Sequence, residues 1–157
     1  MTINDLTIPL DGIDQENLLD EWVWLTGDSR LPVLLTKAGD AFLQDRKSGE
    51  ILFLDTVEGT LQTVANDGDS FSQNLTDTEF VMQYFAVNLV APLLKSGPAL
   101  EQKQVYGWTR PPILGGKYSP DNLEPTDASV HFSMLGQIFR QVKDLPDGTP
   151  IGDITIT

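Results

Sequence analysis

Cysteine is absent from all 157 residues, so neither a disulfide nor a thiolate metal site can form. Histidine occurs once, as His131, which excludes a Cys–His dyad and leaves a zinc site nothing but carboxylates around one imidazole. No metal and no cofactor is expected. Basic residues are scarce, with 10 Lys and Arg against 23 Asp and Glu, for a net charge of −13. A chain so acidic repels phosphate backbones, and direct nucleic-acid binding is disfavoured. Long apolar runs are also missing. The longest, Phe80 to Leu94, is broken by Gln83, Asn88 and Pro92 and is too short to cross a bilayer. Met1 to Asp5 shows neither the positive n-region nor the apolar h-region of a signal peptide, so a cytoplasmic protein without a membrane partner is expected.

What the chain does contain is enough for one domain, residues 1–157, with an ordinary hydrophobic content of 40% and no visible internal repeat. The acids are unevenly placed. Residues 1–29 carry seven acids and residues 48–94 another seven, both without Lys or Arg, whereas from Lys95 onward seven acids meet six bases. Such stretches attract a cationic protein and speed its encounter. They also serve simply as a solvated surface that keeps the chain soluble.

Residues 13–25 read as a helix, with Asp14 as N-cap and Leu18, Trp22 and Leu25 on one stripe. Trp24 lies off that stripe, either packed or available to a partner. Strands are expected over 33–36, 41–45, 50–55 and 60–65, separated by turn chemistry at 38–40, 46–49 and 57–59. This is an antiparallel meander, and Ile51 to Leu54, apolar on both faces, marks a covered central strand. Short helices or loops follow at 70–75. Thr76-Asp77-Thr78-Glu79 then caps a long helix over 77–94, apolar almost all round and so expected in the core, with Pro92 kinking or ending it. The fold class is therefore α+β, a meander of four to five strands packed with helices.

The chain is organised around residues 106–145. Residues 104–109 fit a short strand, and residues 109–126 are expected to be irregular. Pro111, Pro112, Pro120 and Pro125 each remove a donor there, and Gly115-Gly116 marks a tight reversal. Asp127 caps a helix over about 128–143, with Leu135, Ile138, Val142 and Leu145 on one face; a strand over 130–134 is the alternative, because Val130, Phe132 and Met134 alternate.

Several motifs here, Tyr106-Gly107-Trp108, Pro111 to Tyr118, Pro120-Asp121-Asn122-Leu123, His131-Phe132-Ser133 with Leu135 to Ile138, and Gln141 to Thr149, resemble the C-terminal domain of the Tdi-type immunity proteins. Leu18 to Trp22, Gly39 to Phe42, Leu54 to Thr56 and Glu58 to Thr60 are similar to the same family, so the likeness runs from about Leu18 to Ile151. The resemblance implies an immunity protein with no enzymatic activity. Its partner would be a cognate protein toxin, a basic nuclease (DNase) delivered by type VI secretion. Longer relatives carry a further N-terminal domain.

The residues themselves offer little catalytic chemistry. His131 has no G-x-S-x-G elbow to serve, and a satisfied structural histidine is the ordinary alternative. Gly115-Gly116-Lys117 is no phosphate loop, since Tyr118 and Pro111 stand where a hydroxyl and the first glycine belong. Asp67-Gly68-Asp69 lacks the further ligands of a calcium loop. Trp108, Arg110, Lys117 and Tyr118, on a proline-stiffened loop, are the candidate partner contacts. The alternatives are that Trp108 and Tyr118 pin the loop to the sheet, or that the loop walls the pocket of a small hydrolase or ligand-binding domain. A deep pocket with clustered carboxylates and His131 would favour the hydrolase; a flat acidic face would favour immunity.

Overall fold

The computed structural model describes residues 1–152 and 154–157. Five antiparallel strands form a meander in the order β1 (Thr7–Ile8), β2 (Arg30–Thr36), β3 (Ala41–Asp45), β4 (Ile51–Asp55) and β5 (Thr60–Ala65). The expected strand positions hold, each within a few residues, and the short edge strand β1 is added to them. Alternation along β3 and β4 divides the core. Ala41, Leu43 and Leu54 face one cluster with Trp22, Tyr106, Trp108, Phe132 and Leu135, while Phe42, Ile51 and Phe53 face another with Phe71, Phe85 and Val90. Strand β4 is thus covered on both faces, as its apolar run requires.

A single helical turn, α1 (Ile3–Leu6), precedes β1, and between β1 and β2 lies a segment where the expected helix over 13–25 is not continuous. It consists of turns, a 3-10 turn over Asp20–Trp22 and one turn of helix, α2 (Val23–Thr26). Asp14 still opens it, its carbonyl accepting from Leu18 N at 2.9 Å. The indole of Trp22 donates to Phe132 O at 2.8 Å, and this bond anchors the segment to the C-terminal helix. Trp24 stacks on Trp22 at 5.8 Å and donates to Glu21 O at 2.9 Å; it is packed.

After the sheet come α3 (Gly68–Asn74), α4 (Thr78–Tyr84) and α5 (Val87–Ser96). The expected long helix over 77–94 is two helices, and Pro92 sits inside the second of them. The break falls at Phe85–Ala86. Phe85 is fully buried, 5.3 Å from Phe42, and Ala86 is left-handed at φ 49. Burying Phe85 against the sheet turns the chain there. Nor is α4 wholly buried; Met82 is 47% exposed. Asp77 is the cap, accepting from Glu79 N at 2.9 Å.

Strand β6 (Gln104–Trp108) pairs with β7 (Leu123–Asp127) in a separate two-stranded sheet. The expectation of no regular structure up to residue 126 misses β7. Pro125 lies opposite Tyr106, and a two-stranded edge tolerates a proline because its missing N–H can face outward. Helix α6 (Ala128–Val142) closes the core, capped by Asp127, whose carboxylate accepts from Val130 N at 3.2 Å. The strand alternative for 130–134 does not hold.

Candidate partner-binding site

The hairpin between β2 and β3 turns through Ala38-Gly39-Asp40. Gly39, at φ 90, has a Cβ position only 2.3 Å from His131 Nε2, so no other residue fits without moving the imidazole. His131 contacts Gly39 O at 2.8 Å through Nε2. A carbonyl only accepts, so Nε2 carries the proton and the buried Nδ1 is left without a partner among the described residues. Burial pushes the imidazole down to about 4, against the opposing pull of the Gly39 carbonyl. His131 is therefore a neutral strut between the sheet and α6.

Beside it, Thr56 donates its N–H to Asp40 Oδ1 at 2.8 Å, and its hydroxyl lies 2.8 Å from Gly39 O and 3.0 Å from the same Oδ1. Asp40 is 5% exposed, and its Oδ2 has no hydrogen-bond partner among the described residues. The β3–β4 register pairs Ala41 with Leu54. Extending it by one residue sets Asp40 opposite Asp55. Burial, then the Asp55 charge, raises the Asp40 carboxyl to about 7, despite the Thr56 bonds that lower it. Asp55 spends its Oδ1 on Val57 N and Glu58 N, closing the β4–β5 turn and placing Glu58 at its tip.

These three acids line a cleft of about 250 Å³. The end of α4 and the left-handed Ala86 form one wall, Tyr84 included; Trp108 and Tyr118 form the other. Tyr118, 60% exposed, lies over Trp108 at 5.6 Å, and the Trp108 indole N–H is buried without a partner among the described residues. Burial, then Asp40, Asp55 and Glu58, raises the Tyr118 phenol, which places all three carboxylates within its electrostatic reach. No group of three or more His, Cys, Asp or Glu among the described residues is placed to hold a metal ion.

Of the four candidate contacts, the structure brings Trp108 and Tyr118 together at this cleft and leaves Arg110 and Lys117 outside it. Both cations are exposed. Arg110 curls into its own loop, donating from Nε to Leu114 O at 2.8 Å. Asn122 locks that loop: its Oδ1 accepts from Arg110 N at 3.0 Å, and its Nδ2 donates to Arg110 O and Lys117 O at 2.8 and 2.9 Å. Asp40, Asp55, Glu58 and Asn122 were not singled out by the sequence reasoning. Three of its motifs, Gly39 to Phe42, Leu54 to Thr56 and Glu58 to Thr60, held the three acids. A meander register summing to 95 would have set Asp40 against Asp55.

Over residues 65–139 the chain matches the family T6SS immunity protein Tdi1, C-terminal. That span covers the helices after the sheet, the β6–β7 hairpin and most of α6, with both aromatic walls of the cleft; Asp40, Asp55 and Glu58 lie before it. The resemblance read from 106–123 and 131–138 stands on this match, while the motifs before residue 65 and after residue 139 fall outside it. The fold is similar to that in the crystal structure of Atu4351 from Agrobacterium tumefaciens, at TM-score 0.57 and 14% identity, covering 79% of this chain. The chain spans 64% of the length of that protein. No curated protein matches. No helix among the described residues is long and apolar enough to cross a membrane.

Proposed function

We propose that this chain is an immunity protein that binds and neutralises a cognate toxin delivered by type VI secretion, in the cytoplasm and by occupancy rather than by catalysis. The observation that carries this reading is the match of residues 65–139 to a T6SS immunity family. A basic nuclease suits the partner's role, because a net charge of −13 attracts a cationic protein and repels its nucleic-acid substrate. Trp108 and Tyr118 are the proposed anchors. Arg110 and Lys117 rim the same loop and can pair with the acidic ligands of the nuclease's own metal site.

The second reading, a small hydrolase or ligand-binding domain, draws on the cleft with its clustered carboxylates. His131 cannot serve a hydrolytic version as its base, because it is fully buried and its protonated nitrogen is spent on Gly39 O. The experiment is co-expression. Cells producing the toxin encoded beside this chain should survive when the chain is co-produced, and the purified pair should form a complex. Continued killing, or a gene neighbourhood with no toxin and only metabolic enzymes, overturns the immunity reading in favour of ligand binding.

A further inference from the structure

We infer that the cleft between the Tyr84 and Trp108–Tyr118 walls is a socket for a guanidinium, filled by an arginine side chain of the partner toxin. This rests on the immunity reading. Three features of the cleft select that chemistry. Its lining holds Asp40 and Asp55, each one residue beyond the last β3–β4 pair of Ala41 with Leu54, together with the exposed Glu58. Burial and the Asp55 charge oppose ionisation of Asp40 in the free chain, and an incoming cation offsets that cost. Asp40 is nearly inaccessible, yet it lines the cleft and its Oδ2 is unused by any described residue, leaving an acceptor ready for a donor from outside.

The size and walls exclude simpler cations. A bare metal ion needs converging ligands, and the carboxylates are not placed to supply them. A space of about 250 Å³ takes a planar fork with its stem. A guanidinium stacks on aromatic faces and offers several donors in one plane, whereas an ammonium is a compact, strongly hydrated point charge. Val57, Val87 and Leu89 supply an apolar surface for the three methylenes. The floor beyond Asp40 and the α4–α5 wall all come from residues 48–94, which contain no Lys or Arg to compete for the acids.

The full chain is titrated with ethylguanidinium and N-acetyl-arginine amide, following the indole N–H signal of Trp108 by NMR, assigned with Trp108→Phe. Saturable shifts are expected, with ethylammonium weaker and Asp55→Asn weakening the response about tenfold or more. Glu58→Gln is the second variant; the side chain is exposed and makes no hydrogen bond among the described residues, so the change should weaken binding with unchanged melting. A catalytically inactivated toxin should be displaced by the arginine amide and should lose about tenfold in affinity for Asp55→Asn. Absence of a saturable shift, with toxin affinity equal in wild type and both variants, overturns the socket while immunity stands. Probe binding without toxin binding overturns the arginine donor and the immunity reading together, leaving a site for a free guanidinium metabolite.

Discussion

Asp40 and His131 are buried within a few ångströms of the same Gly39 carbonyl and the same threonine, and they pull stability in opposite directions as pH changes. The folded Asp40 carboxyl is raised to about 7, so its stabilising contribution is complete below the unfolded value and is lost as pH rises through 7. The folded His131 is lowered from 6.5 to about 4, so its contribution is complete above 6.5 and is lost as pH falls through 4. Between those values the two slopes oppose each other, and the native protein should show a flat melting profile. Asp40→Asn keeps an oxygen for the Thr56 bonds and removes the titration. The variant should melt higher than the native chain above pH 7 and then lose stability steadily from pH 6.5 to 4. Thermal melts across this range check it. A native profile that falls as steeply as the variant's would mean that Asp40 is not charged against its surroundings.

Among the elements, the strands were the most legible, because alternation and turn residues are local signals that the sheet register obeys. Ile51 to Leu54 predicted a strand covered on both faces, and β4 is one. The failures are tertiary. Residues 13–25 keep the inward spacing of a helix, but the Trp22 indole bond to Phe132 O holds them in successive turns. At Phe85–Ala86 no breaker is written; only the demand for Phe85 in the aromatic cluster explains the left-handed Ala86. That residue lines the cleft, so its backbone strain is held where the site needs a shaped wall. Ala86→Gly should raise stability by roughly 0.5 kcal/mol, the left-handed penalty less glycine's entropy. It should also weaken toxin binding as the wall loosens. Denaturant melts and calorimetric titration separate the two effects, and a gain in both would show that the strain serves no shape.

The proline loop is the other element whose site role was only partly legible. Its rigidity is written in Pro111, Pro112 and Pro120, but the lock is the single side chain of Asn122, which no periodicity reveals. Because Asn122 bonds the backbone of Arg110 and Lys117 and not their side chains, both cations can be removed without opening the loop. Double alanine substitution of Arg110 and Lys117 should cost more than ~1 kcal/mol of toxin affinity at nearly constant melting temperature. Undiminished binding would assign the contact surface to the acids of the cleft alone. Unfolding would show that the Arg110 bond to Leu114 O carries the loop.

For the whole molecule, charge is the quantity that the sequence stated most plainly and that the fold then concentrates. The 23 acids outnumber the bases by 13, and the acid-only segment 48–94 contributes Asp55 and Glu58 to the cleft and the helices that wall it. A basic partner approaching this side meets an attractive field well before contact, while the Trp108–Tyr118 wall acts only at van der Waals range. These two contributions divide between the rate constants. Long-range attraction sets the on-rate and is screened over ~10 Å at about 0.1 M salt; desolvated contacts in the cleft set the off-rate and are screened much less. Stopped-flow association with the toxin should therefore slow markedly as sodium chloride rises, with dissociation nearly constant. Glu58→Gln, which removes an exposed charge from the cleft mouth, should flatten the salt dependence of association. An on-rate insensitive to salt would remove the acidic surface from recognition and leave the aromatic wall to account for it.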